Sequence, residues 1–154
     1  PFHEREVVTG LLSRLRVSNI VVPDTRTVSI NDSIGKIERI FRESERLALP
    51  VIDEHGRYLG IVTAMDLMAL PPQERYKKSV RDIMHCKFVF VCPEAPLLDA
   101  LYKMLKFELP ELPVIDRETK KLIGEISLRD ILKYFHYRTE EYFRELKIKI
   151  SITE

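Results

Sequence analysis

Two short stretches of this 154-residue sequence place a hydroxyl and a carboxylate three residues apart: Thr63 with Asp66, and Ser127 with Asp130. On a helical turn, residues at that spacing share a face. One carboxylate can accept two adjacent hydroxyl donors, and such charge-assisted bonds are stronger than neutral ones. The chemistry this suits is capture of a vicinal diol, as on a ribose. A helix starting at the same point also offers free amides and partial positive charge, which favour a phosphate. Taken singly, Ser/Thr-x-x-Asp is an ordinary helix cap. Only its recurrence asks for more.

The recurrence belongs to a duplication. Val80 minus Val17 is 63, and the offset holds without a gap to Asp53, which falls on Asp116. Leu49-Pro50-Val51-Ile52-Asp53 repeats letter for letter as Leu112-Pro113-Val114-Ile115-Asp116. One extra residue in the next turn moves the offset to 64, which aligns Gly60, Thr63 and Asp66 with Gly124, Ser127 and Asp130. A repeat that kept only its apolar pattern would speak for folding alone. This one also keeps a polar pair at a strand end, which points to two related small-molecule sites.

Each copy reads as β-α-β-β-α. In the first, a strand around 26–30 is followed by helix-start chemistry at Asn31-Asp32-Ser33 and an apolar stripe of Ile34, Ile37 and Phe41. Pro50 opens a β-rich run, residues 53–56 form a tight turn, and 58–62 return as a strand. A second helix runs from 63 to 70, where Pro71-Pro72 stops it. After a linker over 71–79, the second copy predicts strands at 89–92, 112–116 and 121–126, and helices at 97–107 and 128–137. Val7, Val8, Leu11, Leu12 and Leu15 predict a leading helix within 1–16. The last helix extends beyond 137, and 146–152, which alternate apolar and polar residues, read as a final strand within 138–154. The expected fold class is α/β (α+β): two repeats, 17–70 and 80–137, packed about a pseudo-twofold axis. A unit that small buries too little surface to stand alone comfortably.

These residues resemble a tandem pair of CBS domains, the repeats named after cystathionine β-synthase and together called a Bateman module. Three marks carry the resemblance, each occurring twice: Val17-x-x-Ile20 and Val80-x-x-Ile83-Met84, the L-P-V-I-D strand, and G-h-h-[ST]-x-x-D before an apolar helix. The resemblance implies a regulatory module that senses AMP, ADP, ATP or S-adenosylmethionine in clefts between the repeats and signals to a partner domain. By the same resemblance, Asp66 and Asp130 take ribose, while Thr63 and Ser127 take ribose or phosphate. Asp24, Arg26, Ala48 and Leu49 would complete the Asp130 cleft. Lys87, Val89, Glu111 and Leu112 would complete that of Asp66. The chain departs from strong nucleotide binders in having Leu47-Ala48 and Pro110-Glu111, rather than basic residues, before the two Pro-Val-Ile-Asp strands. A carboxylate at Glu111 repels a nearby polyphosphate by ~1 kcal/mol, so AMP or a sulfonium nucleoside is expected over ATP. The cations available to offset it are Arg26, Arg46, Lys87 and Arg129. The family also implies a homodimer built on the helices that follow each G-h-h-[ST]-x-x-D, and an effector domain that is covalently linked or separate.

Composition removes other classes. Net charge is +1, so no global field draws the chain to nucleic acid or a membrane surface. No apolar run is long enough for a membrane span, and direct membrane insertion is not expected. Cys86 and Cys92 fit no zinc clamp, the four histidines are scattered, and a reducing cytoplasm is the expected setting. No Gly-rich phosphate loop, G-x-S-x-G, H-E-x-x-H or C-x-x-C occurs, so no catalytic or metal-ligating residue and no required cofactor is assigned. The alternative from another class is a dimerisation scaffold that binds no ligand, such as the cytoplasmic tail of a transporter or channel.

Overall fold

A computed structural model describes residues 5–6, 10, 12–23, 25–86 and 89–153, the side chains of 150–153 excepted. The first repeat runs β1 (Val28–Ser29), α1 (Ile34–Glu43), β2 (Ala48–Ile52), β3 (Tyr58–Thr63) and α2 (Ala64–Ala69). Ser33 starts α1 by accepting the Lys36 amide at 3.2 Å, which satisfies one of the free donors of the first turn. Ile34, Ile37 and Ile40 then line the buried stripe. β1 lies parallel to β2, and β2 pairs antiparallel with β3. After a 3-10 linker at Pro72–Lys77 and a short α3 (Val80–Ile83), the second repeat supplies α4 (Leu97–Phe107), β4 (Glu111–Ile115), β5 (Leu122–Ser127) and α5 (Leu128–Thr153). The mixed α+β class and the repeated element order agree with the reading of the sequence.

Two elements differ from expectation. The strand over 89–92 reduces to one parallel bridge, Val91 with Val114. Val91 donates to the Pro113 carbonyl at 3.0 Å and its own carbonyl accepts from Ile115 at 2.9 Å. The next rung needs an amide at position 93, and Pro93 has none. The strand over 146–152 is instead part of α5, which is helical to Thr153. A strand needs a neighbouring edge for its backbone groups, whereas an extended helix satisfies them within itself. Alternation of Ile148, Ile150 and Ile152 could not outweigh that.

The segments leading into the repeats cross over. The turn Val17–Asn19 docks on the second repeat, where Val17 and Ser18 donate to the carbonyls of Ala95 and Pro93, both at 2.9 Å. α3 does the same on the first repeat: Val80 donates to Asp32 at 2.9 Å and Arg81 to Ile30 at 3.0 Å. Further on, Val22 bridges Glu125 and His85 bridges Ile61, each antiparallel. Burial follows these crossings. Leu15, Val17 and Ile20 share a core with Val91, Leu97, Leu112 and Ile126; Val80 shares one with Val28, Ile37, Leu49 and Val62. A third cluster, Tyr58, Ile61 and Ile115 with Phe90, Leu109 and Leu122, draws on both repeats.

The repeated glycines are explained by this exchange. A Cβ on Gly60 would sit 2.1 Å from the His85 carbonyl oxygen, and one on Gly124 would sit 2.2 Å from that of Val22. Only a residue without a side chain lets the lead-in backbone approach so closely. Glycine there is a condition of the crossover.

Candidate functional site

Each hydroxyl–carboxylate pair sits where a strand turns into a helix. At the end of β3, the Thr63 hydroxyl accepts the Asp66 amide at 3.1 Å and donates to Asp66 Oδ2 at 2.8 Å. The Thr63 amide reaches the same oxygen at 2.9 Å. His85 Nε2 lies 2.5 Å from the other oxygen, Oδ1. Both oxygens of this carboxylate therefore have protein partners.

The second pair differs. The Ser127 hydroxyl accepts the Asp130 amide at 3.0 Å and donates to Asp130 Oδ2 at 2.8 Å. Among the described residues, Asp130 Oδ1 has no hydrogen-bond or ion-pair partner. Subtracting the repeat offset of 63 from His85 gives Val22, whose hydrocarbon side chain cannot reach across as an imidazole does. The capping role is the same in both repeats, but the acceptor capacity left over is not.

Strand register fixes where the two strand-start residues stand. Ala48 lies directly opposite Thr63 on β3, and Glu111 directly opposite Ser127 on β5. Directly opposite residues carry their side chains on one face of the sheet. Ala48 thus neighbours the Thr63 hydroxyl and Glu111 the Ser127 hydroxyl, through the tight β2–β3 and β4–β5 hairpins. Ala48 and Glu111 also lie together between the repeats, lining one small space with Pro50, Ile61 and Glu125. Leu49 and Leu112 belong to the buried cores of their repeats. Val89 is buried too, and its carbonyl accepts the Tyr58 hydroxyl at 3.3 Å. Burial pushes the Tyr58 pKa above the usual phenol range. Arg26 is half exposed and lies 3.9 Å from Glu43. Asp24 and Lys87 lie outside the described residues.

Three residues outside the expected site set lie near these pairs. One is His85. The others are Arg46, named from the sequence only as an offsetting cation, and Glu125; they form an ion pair between the repeats, both side chains largely buried. Arg46 Nη2 also donates to Thr25 Oγ1 at 3.1 Å. Burial pulls the Arg46 pKa down, the Glu111 charge pushes it back up, and Arg26 lowers it again. Glu111 itself accepts the Leu47 amide at 3.2 Å through Oε1. A signal was present in the duplication. Arg46, Glu111 and Glu125 align with Leu109, Ala48 and Ile61, so all three are charges where the other repeat is apolar. No group of three or more His, Cys, Asp or Glu residues suited to a metal ion occurs among the described residues.

A crossed pair of related repeats, with a hydroxyl–carboxylate pair at each strand-to-helix turn, defines a tandem-repeat architecture. The CBS-domain family model matches residues 17–72 and 80–137, and the chain belongs to that family. It is 33% identical over 122 residues to inosine-5'-monophosphate dehydrogenase of Methanocaldococcus jannaschii, covering 79% of this chain and 24% of that protein. It is 30% identical over 128 residues to homoserine O-acetyltransferase of Methanohalobium evestigatum, covering 81% and 25%. The chain therefore spans about a quarter of the length of these curated relatives. Among solved structures it resembles CBSX2 in complex with AMP, with a TM-score of 0.72 and 26% identity over 80% of this chain and 98% of that one. It also resembles the CBS domain pair of protein MJ0100 in complex with 5'-methylthioadenosine and S-adenosyl-L-methionine, with a TM-score of 0.67 and 26% identity, covering 79% and 99%.

Proposed function

We propose that this chain is a regulatory module that binds an adenosine-containing metabolite in the cleft of Ser127 and Asp130 and passes that occupancy to an effector domain. The observation that carries the reading is Oδ1 of Asp130, which has no partner among the described residues, while Oδ2 accepts the Ser127 hydroxyl. Its carboxylate is oriented by Ser127 yet keeps one oxygen to receive a ribose hydroxyl. Support comes from the two solved CBS pairs, whose ligands all contain adenosine. The Asp66 cleft is secondary in this reading, because a ribose there must first displace His85.

The chain is not itself an enzyme in this account. The large remainder of each curated relative supports an effector domain, linked or separate. Signalling follows from differential affinity: a ligand that bridges the repeats shifts their arrangement only as far as it prefers one arrangement over another. Thermal denaturation with AMP, ADP, ATP and S-adenosylmethionine at ~100 Kd tests the reading. A ligand bound only by the folded state adds about 2.7 kcal/mol of stability at that concentration. A flat response to all four contradicts it.

The scaffold reading keeps one observation of its own. Met65 and Met68 on α2 and Leu132 on α5 are strongly exposed, on the helices that carry the expected homodimer interface. A dimer that forms without ligand and ignores nucleosides is what the scaffold reading requires.

A further inference from the structure

The last helix outruns the family match. That match ends at residue 137, whereas α5 continues to Thr153. No described side chain from 136 to 149 is buried. A helix so exposed is held by its own backbone bonds, which leaves it marginal in water at this length. Its surface is nevertheless not that of a solvated helix. Tyr142, Phe143 and Leu146 stand 41%, 42% and 40% exposed, and Leu132 nearer the body stands 60% exposed.

These residues form a seam. Leu132, Thr139 and Leu146 are seven apart, and Phe135 and Tyr142 follow the first two by three. That is the heptad pattern of paired helices, in which both sets face the neighbouring helix. Phe143 borders the seam. The opposite side, which carries Tyr137 and Ile148, is broken by Glu141 and Arg144. At the repeat offset of 64, Leu132 aligns with Met68 of α2. The seam therefore begins at the position equivalent to an exposed methionine of the first repeat.

The flanking charges choose the direction of pairing. Arg138 and Glu145 each precede a seam residue and lie along one edge of it. In an antiparallel pair that edge meets its own copy, so Arg138 faces the partner's Glu145, twice over about the twofold axis. In a parallel pair the same edge meets the side bordered by Phe143, and the charges gain nothing. Flanking charges of this kind set partner orientation in coiled coils. Within its own helix Arg138 lies 3.4 Å from Glu141, an exposed pair of the kind that contributes little.

We infer that residues 135–146 of α5 pair antiparallel with the same segment of a second copy, Phe135 packing on the partner's Leu146 and Thr139 on the partner's Tyr142. The pairing is isologous, so it closes at two copies. Four layers make too small an interface to hold two copies alone, and the seam acts together with the exposed Met65 and Met68. It does not depend on what the clefts bind.

Sedimentation equilibrium of the full chain tests this. Arg138→Glu and Glu145→Arg should each weaken the dimer about tenfold, because two exposed pairs turn repulsive at once. The double variant Arg138→Glu, Glu145→Arg restores opposite charges across antiparallel helices, and its dissociation constant should return to within about twofold of wild type. Both positions are exposed, so the thermal transition of the fold should stay in place in all three variants. A double variant no tighter than the single ones overturns the inference, as do single variants that match wild type or a wild-type chain that stays monomeric. Each of those results leaves the ligand-binding reading as it stands.

Discussion

Asp53 and Asp116 show how much one side chain does outside the clefts. Asp53 Oδ1 accepts the amides of His55 at 2.8 Å and Arg57 at 2.9 Å. Asp116 Oδ1 accepts those of Glu118 and Thr119, both at 2.9 Å. These amide bonds to the ionised form hold both carboxyls below their ordinary value of 3.8. A depressed folded-state pKa means stability that is present above 3.8 and lost as pH falls through the lower folded value. Denaturation followed between pH 6 and 2 should therefore show a decline below about pH 4 that flattens in the double variant Asp53→Asn, Asp116→Asn. His85 acts at the same scale. His85→Ala frees Asp66 Oδ1, and a second, weaker binding event in calorimetry is the expected result. One event in both proteins would mean that the imidazole is not what closes the first cleft.

The crossed lead-in segments dominate at the scale of elements. Gly124→Ala drives a Cβ into the Val22 carbonyl, which forces backbone to move and should cost about 2 kcal/mol in urea denaturation. A cost near zero would show that the crossover tolerates separation. Most of the elements were legible beforehand. Helix 97–107 stands where the sequence places it, with Leu97, Ala100 and Met104 buried, and the duplicated L-P-V-I-D strand and G-h-h-[ST]-x-x-D turn recur in both repeats. The crossover itself was not legible, because Val17 and Val80 look the same in either partner's core. Nor was the strand register that sets Ala48 beside Thr63. The C-terminal helix was misread because alternation at Ile148, Ile150 and Ile152 says nothing of whether a strand edge is available.

Two of the three core clusters each take in a segment from the other repeat, which ties the repeats together. Val17 and Val80 are both fully buried, and each reports on the repeat it docks against. Outside those clusters, the exposed Met65 and Met68 suit a second copy. Met65→Glu with Met68→Glu should convert a dimer to monomer in sedimentation while leaving the thermal transition of the fold within about 0.5 kcal/mol, the usual range for surface substitutions. Retention of the dimer would move the interface elsewhere. The claim on which the rest depends is that Asp130 receives the ribose. Calorimetric titration of wild-type, Asp130→Ala and Asp66→Ala chains with AMP and S-adenosylmethionine tests it most directly. Saturable binding should vanish in Asp130→Ala and survive in Asp66→Ala. Binding that persists in a folded Asp130→Ala chain, or is absent from the wild type, contradicts the account.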